Sequence, residues 1–318
     1  MISFIVIAKN QSIFLEKCLS SIVSYVKHNI SKYDLLYVDS KSTENNIEIA
    51  KKYKFKVISL THDCNAAIAR NVGAKNAIYE NLVFMDGDMV LNTDFAKKYL
   101  NKSFFSNNHY FSGDLLNHYH DNSYNFIESG YYWRNPLNND QKDIKTGGLF
   151  CIKKKLWQSV NGMKNYYRRT QDNDFGLRLA KNNVFLLRKK DLFVTHLTIS
   201  YTNKFRLIKI LINGDFYYRG MLYRDHFFNK HIFKLLLKTD YSLIALIFSF
   251  FLCLIFKNIF LIFFYIFFVI LRSLRSSIIN NENFIIYLIY ITVRDFQVLF
   301  SFLFFFPKKK KDVRYEFE

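Results

Sequence analysis

The chain of 318 residues carries 45 Lys or Arg against 26 Asp or Glu, a formal net charge of +19, and is half hydrophobic and 19% aromatic, with 10 Gly and 2 Pro. That much apolar and aromatic material excludes a disordered chain, and the scarcity of Gly and Pro excludes collagen-like and low-complexity classes. Four cysteines, Cys18, Cys64, Cys151 and Cys253, are scattered without metal-site spacing, so they read as free thiols of a reducing compartment rather than as a disulfide framework.

The first apolar run, residues 2–8, is bounded by the polar Lys9-Asn10-Gln11 and reads as a buried parallel strand. It lacks the basic leader and the length of a signal peptide. Phe14, Cys18, Ile22 and Val26 recur every four residues, the spacing of a helix laying one face on a sheet. A second strand at 35–38 runs into Asp39-Ser40-Lys41-Ser42-Thr43, a polar loop suited to capping a helix around 47–53. A third strand at 57–60 precedes a helical stretch at 66–79, and a fourth at 82–85 delivers Asp86-Gly87-Asp88. Strand and helix alternate throughout, which predicts an α/β fold with a doubly wound, mostly parallel sheet whose ligands bind at the carboxyl ends of the strands. Asp39 and Asp86 fall on that edge. Two carboxylates one residue apart can share a hard divalent cation such as Mg²⁺ or Mn²⁺, which would in turn hold substrate phosphates; an Asp-Gly-Asp turn without chemistry is the bland alternative.

These residues resemble a known family. Val38-Asp39-Ser40-Lys41-Ser42-Thr43, Ala69-Arg70-Asn71-Val72-Gly73 and Phe84-Met85-Asp86-Gly87-Asp88, followed by Gly147-Gly148-Leu149-Phe150 and Gln171-Asp172-Asn173-Asp174, look like the successive motifs of family 2 glycosyltransferases with the GT-A, nucleotide-binding fold. The resemblance covers roughly residues 1–200. It implies a nucleobase-binding role for Asp39, which is otherwise a turn or N-cap residue, and a place beside the donor for Arg70 and Gly148. It also implies ribose and metal contacts for Asp86, and ligation by Asp88 of a Mn²⁺ or Mg²⁺ bridging the diphosphate. Asp172 matches the general base that deprotonates the acceptor in a single inverting displacement, or else simply favours a helix start. The family usually has Glu where this chain has Gln171. His196, after an expected strand at 192–195, completes the metal shell in several such enzymes; a lone His at a strand end is more often structural. Asp174 has Arg178 four residues on for a surface pair. His118 and His120 read as surface residues of a loop. Residues 101–145, with weak periodicity, are expected to shape an acceptor pocket and to be mobile.

The last third differs in material. From 241 to 271 the only charge is Lys257, and the run is long enough to enter a bilayer. Lys257-Asn258 splits it, leaving one long tilted helix, a short hairpin or a re-entrant element open. A second stretch, 284–306, carries Arg294-Asp295 at its centre, where the two pair with each other or the segment lies in the interface. Lys230, Lys234 and Lys238, then Arg272 and Arg275, then Lys308-Lys309-Lys310-Lys311 flank these blocks. By the positive-inside rule they face the cytoplasm, which favours an even number of crossings or none.

The expected organisation is therefore a catalytic domain at 1–230 and, at 231–318, a basic collar with C-terminal membrane-associated helices. Between Arg188 and Lys238 there are 11 Lys or Arg against 3 Asp; such a cluster beside apolar helices suits anionic membrane lipid better than nucleic acid. The function implied is an inverting, metal-dependent transfer from a nucleoside-diphosphate sugar, with UDP-sugars favoured, to a cell-surface glycan or lipid-linked acceptor at the cytoplasmic membrane face, with the catalytic domain in the cytoplasm. A polyprenyl-phosphate glycosyltransferase and a membrane-anchored nucleotide-sugar binding protein without turnover are the alternatives.

Overall fold

In a computed structural model, which describes residues 1–133, 135–199, 205–280, 283–308 and 313–318, strand β1 (Ile2–Ala8) is buried at every position, as its unbroken apolar run requires. Helix α1 (Ser12–Asn29) lays Phe14, Leu15, Cys18, Leu19, Ile22, Tyr25 and Val26 on the sheet. The chain continues through β2 (Tyr33–Asp39), α2 (Asn46–Lys52), β3 (Lys56–Leu60), α3 (Ala66–Asn76) and β4 (Asn81–Asp86). The side chain of Asn65 starts α3 by accepting from the Ile68 N–H at 2.9 Å. Helix α3 stops at Asn76, short of the expected 79, because Ala77 turns to an extended conformation.

The second half adds β5 (Met89–Leu91), α4 (Thr93–Tyr99), α5 (Lys102–Asn107), β6 (Tyr110–His120), β7 (Phe126–Tyr131), β8 (Gln141–Asp143), β9 (Phe150–Lys153), α6 (Lys154–Ser159), α7 (Gln171–Lys181) and β10 (Leu186–Ile199). Residues 101–145, weakly periodic in sequence, carry α5 and the strands β6, β7 and β8. His118 and His120 lie on β6 rather than in a loop, and His120 is buried with its ring 5.0 Å from Phe14. One mixed sheet results, which also takes in a final strand β11 (Tyr315–Phe317) and is ordered β11-β3-β2-β1-β4-β9-β6-β10-β5 among the described residues, with β7 on β6 and β8 on β10. Its first half, β3-β2-β1-β4, is parallel; β9 then pairs antiparallel with β4. Register places Asp39 opposite Ala8 and Asp86 opposite Ile7, so both carboxylates stand on one edge. Two clusters fill the faces of the sheet: Phe4, Val6 and Leu19 belong to one, and Ile5, Phe84, Phe150 and Trp157 to the other.

The compact units are 1–201 with 309–318, and 202–308; the expected boundary at 230 falls inside the second. The first three basic residues of the 188–238 cluster, Arg188, Lys189 and Lys190, belong to the sheet unit, where Arg188 is buried against Asp143 at 3.1 Å and Lys189 pairs with Asp140. The final strand, β11 (Tyr315–Phe317), pairs antiparallel with β3.

The second unit contains α8 (Phe205–Ile212), α9 (Tyr217–Asp225), α10 (Lys230–Thr239), α11 (Tyr241–Phe256), a 3₁₀ turn (Ile259–Leu261), α12 (Ile262–Asn280) and α13 (Phe284–Phe304). Lys257, in the left-handed region at φ 50°, ends α11 where the sequence splits. Two segments, Ile259–Ile279 and Phe284–Phe304, are each long and apolar enough to cross a membrane, and α10 and α11 are bent by 98°. At 21 residues each segment is about 30 Å long, a match to the thickness of a bilayer core. Lys309, Lys310 and Lys311 lie outside the described residues.

Arg294 and Asp295 do not pair with each other. Successive helical residues point in different directions, and each finds a partner elsewhere in the unit. Asp295 takes Arg272 at 3.2 Å and the Ser242 hydroxyl at 2.5 Å. Arg294 reaches Asp240, which also holds Arg272 and Arg219, each at 2.9 Å. Asp240 and Asp295 are each only 1% exposed, so their charge is compensated within the unit rather than in lipid. Arg272→Met should cost about 3–5 kcal/mol, because it strips a partner from two buried carboxylates. Adding Asp295→Leu should recover part of that loss. Unfolding of the detergent-solubilised protein, followed by helix circular dichroism, measures both.

Candidate active site

The carboxyl edge of the parallel strands opens into a cleft of about 650 Å³ lined by Ile7, Lys9, Gln11, Ser40, Arg70, Asp86, Asp88, Tyr132, Lys145, Gly148, Gln171 and Asp172, among others. Five of the seven candidate residues therefore meet on one surface: Arg70, Asp86, Asp88, Gly148 and Asp172. His196 joins them through Asp88, its Nε2 lying 3.3 Å from Asp88 Oδ2. Asp39 does not reach the lining. It is buried, with Oδ1 accepting from the Tyr37 hydroxyl at 2.9 Å and Oδ2 from the Ser42 N–H at 2.7 Å. The bond from Ser42 holds the turn that follows β2, and Ser40 lines the cleft.

Arg70, on α3, is only 3% exposed, and its Nη2 donates to Asp86 Oδ1 at 2.7 Å. The other face of that carboxylate explains Gly148, since a Cβ there would stand 2.1 Å from Asp86 Oδ2. A β-carbon at Gly87 would likewise meet Ala8 at 2.7 Å. Burial pushes the Asp86 carboxyl up, the Arg70 guanidinium pulls it back and the neighbouring Asp88 pushes it up again, so that it ends above the ordinary carboxylate value.

Asp88 is held differently. Its Oδ2 accepts from the Gln11 amide at 2.7 Å, while its Oδ1 is buried without a partner among the described residues. His196 is not at a strand end. Strand β10 runs past it to Ile199, and register sets it between Met89 of β5 and Asn117 of β6. Burial disfavours its imidazolium, yet the hydrogen bond to Asp88 and the charges of Asp88 and Asp86 outweigh this and raise its pKa above the ordinary histidine value. An orphaned carboxylate oxygen beside an imidazole fits a hard divalent cation. The fit is partial. Among the described residues no three His, Cys, Asp or Glu side chains are grouped to hold a metal, and Asp86, expected as a ligand, is engaged by Arg70. Asp88 and His196 would be the protein's share of the shell, with substrate phosphates and water supplying the rest.

Asp172 lies in the first turn of α7, after Thr170 in the left-handed region at φ 58°. The Thr146 hydroxyl donates to its backbone carbonyl at 3.2 Å. Asp174, read as one half of a surface pair, is instead fully buried, with Arg178 at 2.8 Å and Lys164 at 3.1 Å. Gly176 lets the helix start close down, since a Cβ there would lie 1.7 Å from the Ile144 carbonyl. Gln171 also faces the cleft, and its buried Oε1 has no partner among the described residues.

Gln11 and Asn117 were not legible as site residues. Gln11 sits in an unremarkable polar step after β1, and Asn117 depends on cross-strand register.

A cation would compete with a proton for His196 Nε2. Because the pKa of His196 is raised, the proton is held to higher pH than on an ordinary histidine. Mn²⁺ affinity should therefore climb as pH rises between about 6 and 8, and His196→Gln should flatten that climb. Titration of free Mn²⁺ by electron paramagnetic resonance reads both; a wild-type affinity independent of pH would exclude His196 from the shell.

Residues 3–158 match the family described as glycosyl transferase family 2, a segment that carries Asp39, Arg70, Asp86, Asp88 and Gly148. A curated relative, an uncharacterized glycosyltransferase from Haemophilus influenzae, is 26% identical over 199 residues, covering 58% of this chain and 64% of that protein. The chain thus spans a little under two thirds of that relative's length. Among solved structures, S. aureus TarS is matched at a TM-score of 0.46 and 17% identity over 71% of this chain and 43% of that one. TarS 1–349 in complex with UDP-GlcNAc is matched at 0.47 and 17% over 75% and 76%. The matching segment, which lies over the parallel half of the sheet and the Asp86–Asp88 edge, is a glycosyl transferase family 2 domain.

Proposed function

We propose that the protein is an inverting glycosyltransferase that moves a sugar from a nucleoside-diphosphate donor to a glycan or lipid-linked acceptor at a membrane, with Asp172 as general base. The observation that carries this reading is the convergence of Asp172 on the cleft that also holds Arg70, Asp86 and Asp88. A hydroxyl bound beside Asp172 would lose its proton to that carboxylate as its oxygen attacks the anomeric carbon. The single displacement inverts the sugar and needs no enzyme nucleophile, and the cleft asks for only one such base. Asp88, with His196, would hold a divalent cation, which when bound offsets the charge of the leaving diphosphate. Arg70 keeps Asp86 in place and adds positive potential where the diphosphate would lie.

The apolar segments of the second unit support action at a membrane. The lysines of α10 would face its anionic surface, and the catalytic unit would be cytoplasmic, on the side where basic residues gather.

In thermal-shift measurements on the detergent-purified protein, UDP, GDP or a sugar conjugate at about 100 times its Kd should add about 2.7 kcal/mol in the presence of Mn²⁺, and Asp88→Ala should lose that gain. Asp172→Asn should retain the shift while abolishing transfer. No shift with any nucleotide in folded protein would remove the transferase reading. A variant at Asp172 that still transfers sugar would return that residue to a helix-start role.

A further inference from the structure

The ring of His196 is held on its far side by a residue outside the cleft lining. Register between β6 and β10 sets Asn117 beside it, and the distance from His196 Nδ1 to Asn117 Oδ1 is 2.8 Å. The amide is 6% exposed, and its own Nδ2 donates to the Tyr119 hydroxyl at 3.2 Å, so the oxygen is the atom turned toward the imidazole. An amide oxygen only accepts. In the neutral ring the proton must then sit on Nδ1, leaving the lone pair on Nε2.

Nε2 is the atom that faces Asp88 Oδ2 at 3.3 Å. That oxygen already accepts from Gln11 at 2.7 Å, and the companion Oδ1 is buried and unpartnered. Two electron-rich atoms facing each other at that distance repel unless a proton or a cation lies between them.

Resting on the proposed function, we infer that Asn117 is a positioning residue. It fixes His196 as the Nδ1–H tautomer, so that Nε2 rather than an N–H is offered to a divalent cation shared with Asp88. Without the Asn117 oxygen, the ring gains more by moving its proton to Nε2 and donating to Asp88. This fills the space the cation needs and occupies the carboxylate at the same time. Partners of this kind behind a ligating histidine commonly change metal affinity 10–100-fold.

The test uses the full chain in detergent with selectively ¹⁵N-histidine-labelled protein, free of metal, at a pH where the ring is neutral. Wild type should show His196 as the Nδ1–H form. Asn117→Leu, similar in size but unable to accept, should shift it toward Nε2–H and weaken Mn²⁺ binding about 10–100-fold by paramagnetic resonance titration. Asn117→Asp, which still accepts, should keep both properties. Wild-type His196 in the Nε2–H form overturns the inference. So does a folded Asn117→Leu with unchanged tautomer and Mn²⁺ affinity, or an Asn117→Asp that loses as much affinity as the leucine variant. Asp88→Ala separates the levels of failure: if it too leaves Mn²⁺ affinity unchanged, the metal reading of the site fails as a whole, whereas a loss there with none in Asn117→Leu removes only the role given to Asn117.

Discussion

The Arg70–Asp86 pair is the constraint around which the cleft is built. Parallel pairing brings Asp86 to the sheet edge opposite Ile7, next to Asp88, and two carboxylates that close in a half-buried site repel one another. A guanidinium almost wholly withdrawn from solvent compensates one of them and anchors it to α3. Gly148, without a side chain, lets the following segment close over the other oxygen. Asp88 is thereby left as the carboxylate with coordination to spare. The division between two residues of one short motif is electrostatic: one carboxylate is compensated by Arg70, while the other keeps a buried oxygen without a protein partner among the described residues.

The helical unit meets a related problem of buried charge. Asp240 and Asp295 gather Arg219, Arg272 and Arg294 from several helices, so that charges which would be costly in lipid face protein. Asp240 lies at the 98° bend between α10 and α11, where two arginines from later helices converge. Buried ion pairs of this sort contribute little net stability over apolar packing, but they are costly to break one partner at a time. Their effect is to specify which helix faces meet.

Much of the sheet domain was legible because its signals are local. The apolar run of β1, the four-residue spacing on α1 and the step from Met85 into Asp86-Gly87-Asp88 each concern neighbours in sequence. Asp174 shows where that reading ends. Its partner Arg178 was correctly expected one turn on, but the pair lies under Lys164 rather than on the surface, because burial of a helix face depends on what packs over it. His196 makes the same point for strands: Leu192-Phe193-Val194-Thr195 before it marked a strand, while its continuation to Ile199 depends on β6 being alongside.

By itself the sequence determined the alternation of strand and helix, the edge on which Asp39 and Asp86 stand, the family resemblance and the apolar segments near the C-terminus, all carried by periodicity and short motifs. The tertiary structure alone decided that Asp39 is buried against Tyr37 and Ser42 while Ser40 lines the cleft, that Arg294 and Asp295 take separate partners, and that Gln11 and Asn117 stand behind Asp88 and His196. These are contacts between residues up to 79 positions apart. They are set by strand register and helix packing, which the whole chain determines together and no local stretch of it encodes.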